Sequence, residues 1–576
     1  MPAPSPKTSV ELPLLLAAVL GTLAWFSDKA FTVDDPLFLW LGAQIQASPF
    51  DFFGFDVNWN ASQLPMHEIT QNPPLAGYGI ALASALFGWS ERALHLAFLV
   101  PAGAATLATF ALARRYCERP LLAAAIGLFT PVFLISSTNV MCDTTMLAFW
   151  CGALACWTEG FERRHAGWLL ASALCASAAF LTKYFGIALV PLLLAHGLLH
   201  ERRLGTWALW LLVPIATAVG YDRYTDALYG AGQLSSAIAY AGDFRAASET
   251  SQLAQAVVGL VFAGACLVPA LFFAPLVWRW PVLLGGAAVF GLGLLGWDAL
   301  ARAIDVKFPV DPLALAVFEE DAVRWDLAVQ YLLFALGGAS AVGLACRDLW
   351  RRTDPDSAFL FLWMVGTFVF AAFVNWVNNG RSNLPMAPVL GILIVRQLDA
   401  TDASHALQRI GRPLAFAASL VVALLATNAD YRWANGIRET ALALAGRHVS
   451  ADYTTYFLGN WGLQYYMEQA GAVAVDQQRY PVRGDRLLAG FNSTDIRVPR
   501  PDAIQLLEQT SAPDVGPVRT MSRYLAGFYA HNVGPLPYAW APGQSDRYYA
   551  WKAHIPLRFP PRPLYGDPPH LEQAVR

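Results

Sequence analysis

The chain has 576 residues, of which 56% are hydrophobic and only 14% charged, and its mean hydropathy is positive; a soluble globular protein carries roughly 25% charged residues, so the composition excludes that class and indicates a polytopic membrane protein. A net charge of −3 with no Lys/Arg-rich run excludes a nucleic-acid-binding surface. The seven cysteines, at 117, 142, 151, 156, 175, 266 and 346, include no CxxC pair, which excludes a disulfide framework or a cysteine metal cluster and leaves small apolar core residues.

The opening "MPAPSPKTSVELPLLLAAVLGTLAWFS" has one Lys before its apolar run and no small-x-small cleavage site after it, so it reads as an uncleaved span over 11–27. Next comes "FTVDDPLFLW", with two adjacent carboxylates where the chain leaves the membrane. Asp35 before Pro36 fits a helix N-cap with Pro at N1, which accounts for one of them. Asp34 is left over, and a second charge beside an apolar bundle costs free energy unless it is used, so it is a functional candidate. The same loop, 28–92, carries "MHEITQNPPL" with His67, Glu68, Gln71 and Asn72. Its run at 73–88 reads as a short helix on the outer surface, because counting it as a crossing would place every later basic loop outside.

Thirteen apolar runs are long enough to cross a packed bundle: 11–27, 93–112, 120–137, 144–158, 167–182, 185–199, 205–220, 253–274, 281–297, 326–345, 357–374, 384–397 and 413–427. The arginines fall on alternate connections, at Arg114/Arg115/Arg119, Arg163/Arg164, Arg202/Arg203, Arg279, Arg347/Arg351/Arg352 and Arg396/Arg409/Arg412, and make those connections cytoplasmic. The opposite loops, including 28–92, 183–184, 375–383 and everything after 427, then lie outside. Asp143 in "NVMCDTTMLAFW", Lys183 in "FLTKYFGIALVP" and Arg381 in "NWVNNGRSNLPMAP" all fall on that outer face with the acidic pair. Each also has a structural reading: Asp143 as the cap of a helix starting at Thr144, Lys183 and Arg381 as cations snorkelling to headgroups. Together they suit moving a proton while holding an anion such as phosphate.

"GLGLLG" at 291–296 lies inside an apolar span with no strand before it, and reads as small-residue helix packing, not a dinucleotide fingerprint. There is no Walker loop, HExxH or GxSxG in the sequence; without a nucleotide site, a donor would be lipid-borne. The tail of roughly 149 residues has ordinary polarity and includes "TTYFLGNWGLQYYMEQAGAVAVD", a strand-like, helix-like, strand-like succession that predicts a small α/β domain. The organisation expected is thus a membrane domain over 1–427 and an extracytoplasmic domain over 428–576.

The order of these motifs resembles the membrane-embedded glycosyltransferases of the GT-C fold, the bacterial relatives of protein O-mannosyltransferases and of the lipid A aminoarabinose transferase. The resemblance rests on "VDDPLFL" after the first span, "NPPLAGYGIAL" closing the first loop, "CDTTMLAFW" opening a later span, "LTKYFGIALVPLLL", "RSNLPMAP" and the tail motif "YFLGNWGLQYY". The chain departs from the aminoarabinose transferases before "PPL", where they carry an acidic residue and Lys and this chain has Gln71 and Asn72. The resemblance implies a polytopic α-helical membrane protein of the bacterial plasma (inner) membrane. It would move a sugar, with inversion, from a polyprenyl-phosphate donor to an acceptor lipid, glycan or protein on the outer face. It implies Asp34 as general base with Asp35 in support, and Lys183 and Arg381, with Asp143 and Asn72, around the donor phosphate. His67 and Glu68 are left as acceptor or metal groups; no cofactor is implied with certainty, and a divalent cation is left open. A transporter or flippase for a lipid-linked or small anionic substrate is the competing reading, opposed by the clustering of polar groups at one face and the lack of an inverted repeat.

Overall fold

A computed structural model describes residues 8–70, 72–247, 251–304, 324–400, 405–494, 501–541 and 546–559. All thirteen apolar runs are helical over most of their length. Among the described residues five helices are long and apolar enough to cross a membrane (Glu91–Tyr116, Tyr184–Glu201, Trp325–Arg352, Pro355–Val374 and Arg409–His448), and the number is up to seven if each of the bent pairs Pro120–Leu128 with Pro131–Ser137 and Trp280–Leu295 with Trp297–Ala303 is one span. The run read as a surface helix forms Leu75–Phe87, 13 residues or about 20 Å, short of the roughly 30 Å hydrocarbon core. It packs on Asp35–Ala47, where Gly42 and Gly77 admit Ile80 and Leu41.

Lipid gives helices no hydrophobic reason to associate, so close backbone approach through small residues has to hold them. A Cβ on Gly264 would meet the backbone of Phe334, and one on Gly338 the backbone of Leu260, which joins Gln252–Cys266 to Trp325–Arg352. Gly127 and Gly391 do the same for Pro120–Leu128 and Met386–Asp399. In "GLGLLG", among the described residues, Gly293 meets a neighbouring helix, at Leu332, Gly291 meets none and Gly296 meets the carbonyl of Leu292, so the packing reading holds there for one residue of the motif. At the arginine-rich end the charges are paired: Arg396 meets Asp348 at 3.0 Å and Arg119 meets Asp399. All seven cysteines are free; Cys142, Cys151 and Cys266 are buried as expected, whereas Cys346 is exposed.

The last long helix does not stop at 427. His405–His448 continues for 44 residues, about 66 Å, roughly twice a bilayer core, and the mixed α/β unit begins after it. That unit holds a five-stranded sheet in the spatial order Val473–Ala474, Thr455–Leu458, Arg486–Gly490, Arg547–Ala553, Ile504–Ser511. The first three strands run parallel, with helix Trp461–Gln469 making the crossover between Thr455–Leu458 and Val473–Ala474; the last two are antiparallel additions. The strand, helix, strand succession expected of 454–476 is therefore present.

The first loop is built onto this unit. Asp56–Trp59 and Ser62–Pro65 form a hairpin whose turn residues Asn60 and Ala61 are both left-handed, at φ 54° and 58°, the twist two-residue hairpins favour. Asn58 Nδ2 donates to the carbonyl of Val475 at 3.0 Å, and Gln464 Nε2 donates to that of Asn58 at 2.8 Å.

Candidate active site

The tail motif sets the position of the acidic pair. Gly462 lies against the backbone of Phe31, where a side chain would clash. The hydroxyl of Tyr466 accepts the Phe31 N–H at 2.9 Å and donates to Glu91 at 3.0 Å. Asn435 accepts the N–H of Ala30 at 2.8 Å. Held this way, the chain turns sharply over 32–35, with the β-branched Val33 at φ 50°, a strained conformation of the sort that collects at functional sites.

The two carboxylates have different surroundings. Asp35 is not the N-cap: helix Asp35–Ala47 begins with it, Asp34 holds the capping position, and Asp34 makes no side-chain cap bond. Asp35 is fully buried, and its two oxygens accept the backbone N–H groups of Thr32 and Val140, each at 2.9 Å. It thereby ties the turn to the loop that precedes Asp143. Burial pushes its carboxyl up to about 7, against the opposing pull of the Thr32 N–H, the Lys29 charge and the Val140 N–H. Asp34 keeps 26% of its side chain exposed and accepts from Arg381 Nη2 at 2.9 Å. Only Asp34 of the pair can meet an incoming group.

From Asp34 the charges alternate in a row. Arg381 Nη1 lies 3.7 Å from Asp143 Oδ2, and Asp143 Oδ1 accepts from Lys183 Nζ at 2.6 Å. Asp143 does not cap its helix: Cys142–Arg163 starts one residue earlier, with Met141 at the cap. Lys183 and Arg381, 19% and 13% exposed, point inward to these partners instead of snorkelling outward. Arg381 also touches the Met141 sulfur at 3.0 Å and sits 5.3 Å over the ring of Tyr529, while its Nε has no hydrogen-bond partner among the described residues. Asn72 joins the row through its Oδ1, which accepts from the Cys142 thiol at 3.5 Å. Four cationic and anionic groups from four separate stretches of chain thus meet at the N-terminal end of Cys142–Arg163.

Below them lies a fully buried polar network that the sequence reading missed. Lys29 Nζ donates to Asn139 Oδ1 at 2.6 Å and to Asp430 Oδ2 at 2.5 Å, and neither Lys29 nor Asp430 is exposed. Asp430 also accepts from Tyr529 at 2.8 Å and Thr520 at 3.1 Å. The tail therefore reaches into the site: Tyr529 is at once the aromatic floor under Arg381 and a ligand of Asp430, and Phe528 accepts the Gly380 N–H at 2.6 Å to fix the Arg381 loop. Lys29 and Asp430 were open to detection, since each is a charge at the end of an apolar run. Nothing in the sequence around Tyr529 marks it.

His67 and Glu68 stay outside this row. The ring of His67 stacks on Tyr229 at 4.9 Å, and Glu68 is exposed. Among the described residues they belong to no group of three or more metal-ligating side chains. Gln71 lies outside the described residues.

Residues 71–221 match the model of the dolichyl-phosphate-mannose-protein mannosyltransferase family. Asn72, Asp143 and Lys183 fall within that stretch, and the resemblance read from the motif order is borne out there. No curated protein sequence matches the chain. Similar solved structures include ArnT from Cupriavidus metallidurans bound to undecaprenyl phosphate, with 15% identity, TM-score 0.44, and 95% of this chain and 98% of that one covered. The oligosaccharyltransferase of Archaeoglobus fulgidus in the apo form is 12% identical with TM-score 0.45, and covers 81% of this chain; the match spans 64% of that protein's length. The mycobacterial arabinofuranosyltransferase AftD is 14% identical with TM-score 0.43, over 94% of this chain and 40% of that one.

Proposed function

We propose that this chain is a glycosyltransferase that moves a sugar from a polyprenyl-phosphate carrier to an acceptor on the outer face of a bacterial plasma membrane. The observation that carries the reading is the row Asp34–Arg381–Asp143–Lys183, a part-exposed carboxylate beside two cations, in a chain with no nucleotide-binding motif. In the transfer, the acceptor oxygen attacks the anomeric carbon from the face opposite the phosphate, and Asp34 takes the proton from the acceptor hydroxyl. The bond between the anomeric carbon and the bridging oxygen breaks, and its electrons pass to the lipid phosphate. Arg381 and Lys183 offset the charge that grows there, the electrostatic contribution that usually weighs most in such a barrier. Asp143 holds both cations in place, and Asn72 borders the same space.

Before substrate arrives, Arg381 pairs with Asp34. The donor phosphodiester carries one negative charge, and its two non-bridging oxygens present a forked pair of acceptors to the guanidinium, so donor binding draws Arg381 from Asp34 and frees Asp34 to act as base. The buried Lys29–Asp430–Tyr529 network fixes the floor on which Arg381 moves. The extracytoplasmic assignment of 428–576 rests on the alternating arginines, and an impermeant thiol reagent on sealed cells should label Arg483→Cys and spare Arg351→Cys in a cysteine-free background. Catalysis is tested by incubating the purified protein with a panel of polyprenyl-phosphate sugars and following free lipid phosphate. Release with at least one sugar, dependent on an acceptor, supports the reading; no release with any of them removes it.

A further inference from the structure

The geometry points to a second, separate site, a divalent transition-metal centre of the zinc type formed by His196, His200 and Asp356 at the arginine-rich end of the bundle. His196 and His200 stand four residues apart on helix Leu189–Glu201, one turn apart on one face. Their rings stack at 4.1 Å. Asp356, in the first turn of Pro355–Val369, brings a carboxylate oxygen 3.3 Å from His200 Nε2. One ligand atom from each of the three residues lies within 4.8 Å of the other two. Ligands about 2.1 Å from a tetrahedral ion sit about 3.4 Å apart, so closing the site takes side-chain movement on the order of 1 Å, and His200 and Asp356, 26% and 36% exposed, have room for it.

The independent observation is His196 itself. It is completely buried, and neither of its ring nitrogens has a hydrogen-bond partner among the described residues. Phe161 and Phe359 close on its ring edge-on at 5.2 and 4.9 Å and offer it nothing polar. An imidazole left this way costs free energy that a leucine of similar size would not. A metal ion resolves it, since neutral imidazole is the preferred nitrogen ligand for zinc and a carboxylate supplies the anionic partner. The His200 Nδ1 contact with the carbonyl of His196, at 2.9 Å, leaves Nε2 facing the site, the outer hydrogen bond that orients a ligating histidine. Among the described residues Arg115 lies beside the cluster, with Nη2 3.8 Å from Asp356, and its charge is offset by its own pairing with Glu162. Three protein ligands leave a fourth position for water. Nineteen residues along Cys142–Arg163 separate Asp143 from Glu162, about 28 Å, so this centre does not take part in the transfer chemistry. It would clip helix Leu189–Glu201 to Pro355–Val369.

The test uses the full-length protein in detergent, tag removed and stripped with a chelator, titrated with Zn²⁺ or Co²⁺ alone. One Zn²⁺ should stay bound per chain after desalting, the melting temperature should rise with the logarithm of Zn²⁺ concentration, and Co²⁺ should develop visible absorption bands. His196→Leu and the surface variants Asp356→Asn and His200→Gln should abolish all three. Absence of saturable binding at micromolar Zn²⁺, or binding and bands unchanged in Asp356→Asn and His200→Gln, overturns the proposal. If His196→Leu fails to fold, those two surface variants decide the matter alone.

Discussion

Asp34→Asn separates chemistry from structure most sharply. The side chain is 26% exposed, makes no cap bond, and among the described residues has one partner, Arg381 at 2.9 Å. Asparagine keeps an oxygen that can accept from that guanidinium, so the stability lost is that of a part-exposed ion pair discounted for solvent, at most about 1 kcal/mol. As general base, the same group should contribute a factor on the order of 10² to 10⁴ in turnover, or about 2.7 to 5.4 kcal/mol in the barrier. The catalytic loss therefore exceeds the stability loss several-fold. The assay is the initial rate of lipid-phosphate release at saturating donor, with the melting temperature followed in parallel. Near-normal turnover in Asp34→Asn, or a rate loss that simply tracks unfolding, would refute the assignment.

Asp35→Asn should fail by instability, because both carboxylate oxygens accept backbone N–H groups and the amide must turn its NH₂ on one of them, at a cost of about 1–3 kcal/mol. The wild-type carboxyl sits near 7 when folded against 3.8 for the ordinary group, so the folded chain holds a proton that the unfolded chain releases; this stabilisation is full below about pH 4 and lost as pH rises towards 7. Melting curves across that window should show a steeper decline in wild type than in Asp35→Asn, where Asp546, pushed up by burial to about 6, still titrates, and an identical slope in both would contradict the assignment. Lys29→Met leaves the buried Asp430 without its cation and should destabilise by about 3–5 kcal/mol, with Asp430→Asn added to it recovering part of the loss; a neutral single variant would show that the pair is dispensable. Lys183→Ala and Arg381→Ala should each raise the donor KM at least about tenfold, a difference of roughly 1.4 kcal/mol, in protein that remains monodisperse, and unchanged donor kinetics in both would return them to a purely structural role.

The apolar runs were legible because a bilayer demands uninterrupted apolar length, and each is helical over most of its length. The site was legible in part for the same reason: Asp34, Asp143, Lys183 and Arg381 stand out as charges at the ends of such runs, and the structure joins them through direct contacts. The roles within "DD" were not. Capping statistics favoured Asp35 before Pro36, but the backbone donors of Thr32 and the distant Val140 captured its carboxylate, and only tertiary structure brings Val140 there. The helix His405–His448 runs on past the apolar stretch that ends at 427, because helix geometry, supported by packing against the tail, does not need apolar side chains to continue. Tyr529 could not be read at all, since a tyrosine in a polar tail carries no sign that it will lie under an arginine 148 residues earlier in the chain.

An isotope distinguishes cleavage at the anomeric carbon, with the phosphate leaving on its lipid, from cleavage at phosphorus. A donor carrying ¹⁸O at the oxygen that bridges sugar and phosphorus would be turned over by the wild-type protein and the products separated for mass spectrometry. Cleavage at the anomeric carbon puts the label in the released polyprenyl phosphate and none in the glycosylated acceptor. Label in the sugar product would mean cleavage at phosphorus, and would contradict both the assignment of Asp34 as base towards the acceptor and that of Lys183 and Arg381 as partners of the departing phosphate.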